Sequence, residues 1–327
     1  MAKLLETARI LGIEESGGHG DKWDVFDKDI NKFLARALPV ALKDSNVLID
    51  EMSNTSSVPE GEEPVSVLVH LGELKSESDS VSGLVSILGS TEDEHHKRVN
   101  TLISFFPMFA TDISYNAYID GIELFPNHFE ARLWLKIPNL PFEICIFDTA
   151  FGVHRGKYDN EIAYDASLSA LAYYMRSTEG DEYKIEDEDG IRKHNATDAW
   201  VKKHGLFNRD TDLELALAEW KPSSPEDLEP VVFDLSRRRS FIPHDTFADD
   251  AQFAGKVIQV IPNDTVLFDV SFWRVDVQIG NFEDDEETAF IVPIYTTENC
   301  FGNDWRPKVG EYISGNGWFN GFLNTKK

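Results

Sequence analysis

A chain of 327 residues with 58 Asp or Glu against 31 Lys or Arg carries a formal charge of -27. That balance excludes a generally basic surface for gripping nucleic acid, because Lys and Arg supply essentially all nonspecific phosphate affinity. A content of 42% hydrophobic and 12% aromatic residues excludes a disordered chain, and no apolar run reaches the roughly twenty residues of a membrane helix.

Length suggests about two domains. Cys145 and Cys300, the two cysteines, form neither a disulfide framework nor a metal pair. The first residues, Met1 to Glu6, lack the apolar core of a signal peptide. These features predict a cytoplasmic, reduced protein with no cofactor, no metal and no membrane association.

Ile30, Phe33, Leu34, Ala37, Leu38 and Ala41 fall at helical spacing and predict a helix near 27–42, with Pro39 as a kink or stop. Ser53 to Pro64 reads as a polar linker. Val65, Val67, Val69 and Leu71 alternate as a strand. Thr91 and Glu94 have capping-box spacing, and Val99, Leu102, Ile103 and Phe106 supply the apolar stripe of a predicted helix over 91–106. His95 and His96 are adjacent and cannot share one helix face, which argues against a metal site.

From Ile119 to Asp148 the pattern turns to period two. Phe129, Ala131, Leu133, Leu135 and Ile137 alternate with Glu130, Arg132, Trp134 and Lys136, and Phe142, Ile144 and Ile146 follow a proline-marked turn. This predicts an antiparallel meander near 119–148 with one buried and one wet face. At its end, Asp148, His154, Arg155 and Lys157 gather a carboxylate, an imidazole and two cations in one glycine-bearing loop. An active-site reading makes Asp148 and His154 an acid–base pair with the cations holding an anion. The plainer reading is a surface loop whose cations neutralise Asp159 and Glu161.

Asp165 to Met175 fits helix and strand equally. Glu182-Tyr183-Lys184 has the E-x-K form of metal-dependent nucleases but lies in an acidic, non-apolar run. Thr211 and Glu214 form a second capping box for a helix near 211–220. Pro222, Pro225 and Pro230 punctuate the chain and suggest an α+β domain over 1–230, a connecting segment over 231–250 and a third region over 251–327. Arg237, Arg238 and Arg239 are either paired with internal carboxylates or an anion site.

In the last region Val266, Phe268, Val270 and Phe272 alternate, and the phase flips to Trp273, Val275, Val277 and Ile279, predicting a β-bulge near Phe272–Trp273. The acidic run Glu283, Asp284, Asp285, Glu286 and Glu287 reads as a solvated loop and Ala289 to Thr296 as a strand. Gly315, Gly317 and Gly321 surround Trp318 and Phe319 in a final strand. The layout Gly255-Lys256-Val257, a long strand, then Val309-Gly310-Glu311-Tyr312-Ile313-Ser314-Gly315 resembles OB-fold proteins. The resemblance covers about a quarter of the chain and implies a small β-barrel that binds across one face; it carries no site residues. The fold class expected is α+β, a mixed N-terminal region with an antiparallel sheet plus a C-terminal OB-like β-barrel.

No P-loop, dinucleotide fingerprint, G-x-S-x-G, Cys-x-x-Cys or His-Glu-x-x-His occurs. The leading expectation is a non-catalytic interaction protein whose acidic surface, including Glu283–Glu287, meets a basic protein partner, with nucleic-acid mimicry as its specific form. One alternative is a hydrolase or nuclease built on Asp148 and His154. The other is single-stranded nucleic-acid binding through Trp273, Trp305 and Trp318, which the charge disfavours. Most of the barrel aromatics are expected to be core.

Overall fold

The computed structural model describes residues 4, 7–12, 14, 25–26, 29–44, 46–47, 65–71, 73–74, 82–92, 98–109, 111–127, 129–138, 140–154, 158–267, 269–280, 289–302 and 305–325. Three helices exceed two turns among them: α1 (Ile30–Asp44), α2 (Glu188–His204) and α3 (Arg209–Glu219). The early strands are β1 (Arg9–Ile10), β2 (Asn46–Val47), β3 (Val65–Leu71), β4 (Glu73–Leu74), β5 (Ser82–Glu92) and β6 (Arg98–Phe109). The middle strands are β7 (Ser114–Leu124), β8 (Ala131–Lys136), β9 (Ile144–Asp148), β10 (Tyr164–Ser177), β11 (Glu182–Ile185) and β12 (Val231–Asp234). The last are β13 (Ser240–Pro243), β14 (Asp250–Leu267), β15 (Val270–Gly280), β16 (Phe290–Thr296) and β17 (Tyr312–Thr325). The architecture is α+β with a large sheet-rich core.

The chain divides into two compact units, Met1–Ser177 with Arg239–Lys327, and Thr178–Arg238. This differs from the expected division at 230 and 251, because β17 pairs along its length with β10, which precedes the smaller unit in sequence. The C-terminal strands therefore belong to the same sheet as the meander.

In the larger unit β10 and β17 form a long antiparallel pair, Tyr164↔Thr325 through Ser177↔Ile313. Each also borders further strands. The start of β10 pairs with β7 and its middle with β16, while the first half of β17 pairs with β14 and the second with β9. Two circuits of hydrogen-bonded strands result, β7–β8–β9–β17–β10 and β10–β16–β15–β14–β17, sharing one pair. A separate antiparallel sheet runs β2–β3–β5–β6.

Both faces of the shared strands are covered. Ile146, Ala170, Ile294 and Phe319 enter one buried cluster that draws on every strand of both circuits. Their sequence neighbours Phe147, Leu171, Tyr295 and Trp318 enter a second cluster with Phe33 and Ala37 of α1 and Phe106 and Phe109 of β6. Period two thus survives in the packing, but both faces of β10 are buried, one of them carrying Ser167 and Ser169 beside Leu171, so polarity does not separate a wet face from a dry one. That is why Asp165–Met175 is ambiguous as a sequence.

The expected helix over 91–106 is absent. Thr91 lies in β5 and Val99 to Phe106 in β6, with 93–97 outside the described residues. The register slips between Ile87↔Ser104 and Leu88↔Leu102, leaving Ile103 unpaired in a bulge. One extra residue shifts the period-two phase, and Val99, Leu102, Ile103 and Phe106 then fall at spacings that a helical stripe also has. Pro107 is a strand residue opposite Leu84, not a helix stop. A register irregularity does fall at Phe272–Trp273, with the extra residues on the partner strand: Thr265 pairs with Phe272 and Ile261 with Arg274, while a hairpin not foreseen pairs Leu267 with Val270 around a turn holding Asp269 at φ 69°. α1 continues through Pro39 to Asp44. α3 begins before Thr211, with Asn208 as N-cap accepting from the Asp210 N–H at 3.0 Å. The Ser53–Pro64 segment lies outside the described residues.

In the smaller unit β11 pairs with β12 and α2 packs against α3, burying Ile191, Ala196 and Ala216. Asp187 caps α2 by accepting from the Gly190 N–H at 2.7 Å. Acids open α2 and Lys202, Lys203 and His204 close it, matching the helix dipole.

The shared pair depends on absent side chains. A Cβ at Gly315 strikes the Tyr174 carbonyl oxygen and lies 2.7 Å from the Phe253 ring; one at Gly321 strikes the Ser167 carbonyl oxygen. Gly315→Ala or Gly321→Ala is expected to lower stability by about 2–3 kcal/mol through overpacking. Gly302→Ala, where the nearest atom is 3.8 Å away, serves as the near-neutral control in the same urea titration.

Candidate functional site

Asp148 ends β9, and a helical turn, Phe151–His154, follows it. The carboxylate is 1% exposed. Tyr158 donates its hydroxyl to Oδ2, and the Ala150 N–H donates to Oδ1 at 2.9 Å. Phe151 and Tyr158 are themselves buried, and the half-buried His154 ring stands 6.4 Å from that of Tyr158. Asp148 therefore has Tyr158 as its side-chain partner, a pairing the sequence reading did not foresee. Arg155 and Lys157 lie outside the described residues. Burial raises the Asp148 carboxyl to about 7, with the bonds from Tyr158 and Ala150 pulling the other way. Burial and the adjacent Asp148 push the Tyr158 phenol well above its ordinary value.

Two further sites hold buried charge. Arg132, on the face of β8 expected to be wet, is 1% exposed and lies 2.5 Å from the buried Asp249 carboxylate. Asp249 also accepts from the Trp318 indole N–H at 2.9 Å. Trp318 is fully buried, so it is a core residue and not a stacking surface. Trp273 and Trp305 are half-buried and pack edge-on against Phe301 at 5.2 and 5.9 Å.

The second is on β15. Arg274 donates to Asp276 through Nε at 2.8 Å and Nη2 at 3.1 Å, and Nη2 lies 2.7 Å from Asp112. Burial alone would raise Asp112, but the Arg274 hydrogen bond and charge hold it below the usual carboxylate range. Burial raises nearby Asp264, with Arg274 opposing. No cluster of three metal-binding side chains occurs among the described residues.

The arginine triplet does not converge. Arg237 is exposed, Arg238 lies 3.9 Å from Asp181, and Arg239 donates to the Tyr312 hydroxyl at 3.4 Å. Glu182-Tyr183-Lys184 forms the exposed strand β11. Glu283, Asp284, Asp285, Glu286 and Glu287 lie outside the described residues. The acidic peak at Asp249–Asp250 is buried.

The meander carries a feature that sequence reasoning missed. An open groove of about 630 Å³ is lined by Tyr118 of β7, Trp134 and Lys136 of β8, and Pro138, Pro141 and Phe142 of the following turn. In the β7–β8 ladder Ile119 pairs with Leu135 and Gly121 with Trp134, so Asp120 is the extra residue of a bulge. Lys136 takes both Asp120 and Glu143 as ion partners, Glu143 at 3.2 Å. Gly121 carries no side chain beside the Trp134 indole, whose Cδ1 would be 3.7 Å from a Cβ there. Phe142 is held by stacking on Phe241 at 5.8 Å. The available signal was a tryptophan on the nominally wet face of a strand.

No family model, curated protein or solved structure matches this chain. Among the described residues no helix is long and apolar enough to cross a membrane.

Two outcomes follow from the buried charges. The folded state holds the Asp148 proton more tightly than the unfolded chain does. Its contribution is therefore fully present below about pH 4 and lost as pH rises through about 7. Asp148→Asn is expected to flatten that loss, worth up to about 4 kcal/mol, in urea midpoints measured from pH 4 to 8. Arg132→Met leaves Asp249 buried without its cation and is expected to cost about 3–5 kcal/mol. Restoring balance with Asp249→Asn in the same chain should recover part of that loss.

Proposed function

We propose that this chain is a non-catalytic interaction protein that presents exposed carboxylates to a basic protein partner. The observation that carries this reading is the charge of the Thr178–Arg238 unit. Glu186, Glu214, Glu226 and Glu229 are exposed there and make none of the ion pairs among the described residues. Against a total of -27, they form a field that attracts cationic surfaces and speeds encounter. A partner that itself grips nucleic acid through Lys and Arg is the specific form of this reading, with carboxylates in place of phosphates. The buried, free cysteines Cys145 and Cys300 fit a reducing cytoplasm.

We read the circuit β10–β16–β15–β14–β17 as an OB-like barrel. Support comes from its five strands, its glycine-bearing last strand and the buried Phe253, Val275 and Ile313 within it. This barrel includes β10 and so reaches beyond 251–327. Trp318 is buried, and Trp273 and Trp305 are half-buried against Phe301, which weighs against single-stranded nucleic acid as ligand. The acid–base reading gains from the raised Asp148 carboxyl but loses more from its burial, since a substrate proton must reach the group that moves it.

The test is capture of partners from native lysate with and without nuclease, using wild type and the Glu186→Gln, Glu214→Gln, Glu226→Gln, Glu229→Gln variant. A nuclease-resistant basic protein that the variant binds about tenfold more weakly is expected, each rim charge contributing a few tenths of a kcal/mol. Binding indifferent to both salt and the four substitutions would refute the proposal.

A further inference from the structure

We infer that the groove on the β7–β8 hairpin is a docking site for an extended, proline- and arginine-containing segment of a protein partner. The inference rests on the basic-partner reading and gives that partner a second, chemically specific foothold.

Three observations point to this occupant. First, the groove is aromatic and stiff. Tyr118 and Trp134 stand on adjacent strands, with Tyr118 opposite Lys136 and Trp134 opposite Gly121. The far wall is fixed by Pro138 and Pro141, by the Leu140 N–H bond to the Ile137 carbonyl at 3.1 Å, and by Phe142 stacked on Phe241. Pre-organised aromatic grooves are the surfaces on which polyproline segments dock, because both partners lose little entropy. Second, the groove is open to solvent on the fold's exterior: Tyr118, Lys136, Pro138 and Pro141 are all exposed.

Third, the charge fits. Lys136 is shared between Asp120 and Glu143, whose side chains remain 40% and 38% exposed. The second oxygen of each carboxylate makes no hydrogen bond among the described residues. Two carboxylates against one ammonium leave the rim net negative, and a planar guanidinium can take those oxygens while its face lies on an indole. Nucleic acid would find rings here too, but its phosphates would meet Asp120 and Glu143, with Lys136 already engaged.

The full chain, labelled with nitrogen-15, is titrated with a nine-residue (Pro-Pro-Arg)₃ amide, with (Pro-Pro-Glu)₃ and a short oligothymidylate as comparators. The expected result is a shift of the Trp134 indole signal by the arginine peptide and by neither comparator. Trp134→Ala and Tyr118→Ala should each weaken the peptide at least tenfold; Tyr118 is exposed, so its variant retains the fold. Asp120→Asn with Glu143→Gln should weaken it about fivefold and abolish its salt dependence. No shift at Trp134, equal binding of the glutamate peptide, or preference for the oligothymidylate overturns the inference. The quadruple variant of the Thr178–Arg238 unit separates the two proposals. If the captured partner needs those glutamates but is indifferent to Trp134→Ala, the groove inference fails and the basic-partner reading stands. If the peptide binds the groove while no partner responds to the glutamates, the reverse holds.

Discussion

The architecture hangs on the β10–β17 pair. Each strand is long enough to serve two circuits, and each changes neighbours part-way along. β17 is hemmed by β10 on one edge and by β14 and then β9 on the other. Where backbones and rings press on it, at Gly315 against Tyr174 and Phe253 and at Gly321 against Ser167, only hydrogen fits. Glycine weakens an isolated strand. Here its cost is offset by the packing it admits, since Phe253 and Phe319 both enter the main cluster across the gap. The smaller Thr178–Arg238 unit leaves the chain directly after β10 and returns just before β13, so its insertion does not interrupt the pair.

Part of the sequence's charge is structural. Asp148, Asp249, Asp264 and Asp276 are all buried, and they meet desolvation in three ways. Asp249 and Asp276 have arginines, Arg132 and Arg274. Asp148 holds its proton to about 7 beside a tyrosine, and Asp264 has only a hydroxyl neighbour, Thr265, with an arginine further off. Removing one member of such a pair is costly, whereas the intact pair adds little net stability. A net charge counted from composition therefore overstates the surface at Asp249–Asp250 and is a fairer guide at Glu186, Glu214, Glu226 and Glu229, which are exposed.

What was legible in the sequence depended on an alternating pattern. The alternation around Leu133 and Leu135 marks β8, and that of Phe142, Ile144 and Ile146 marks β9 although both faces of β9 are buried. In β10, buried on both faces over most of its length, Leu168, Leu171, Ala172 and Met175 also fall at helical spacing, so type cannot be read from pattern. Where a bulge slips the phase, as at Ile103, the pattern points to the wrong type. α2 went unread because its apolar positions are few: Ile191 and Ala196 are its buried residues, and its stability rests on caps and end charges. For the site, the Asp148 loop was visible as chemistry in one short stretch. Its partner Tyr158 was visible only as another aromatic, because burial decides its role. The pairing of Arg132 with Asp249 spans more than a hundred positions and leaves no local trace.

The groove shows how a local irregularity can serve packing and recognition together. On β7, Ala117 and Ile119 point to the core and Tyr118 to solvent; beyond the bulge the buried positions become Ile122 and Leu124. With Asp120 present but no bulge, strict alternation would send Gly121 inward and Ile122 out to the surface. The bulge corrects this phase, and it places Asp120 where its carboxylate meets Lys136. It also sets Gly121 opposite Trp134. The same bulge that keeps Ile122 and Leu124 in the core thus builds one wall of the groove and half of its acidic rim. Deleting Asp120 would leave Ile122 and Leu124 in phase with Ile119 and take from the rim the carboxylate that Asp120→Asn only neutralises.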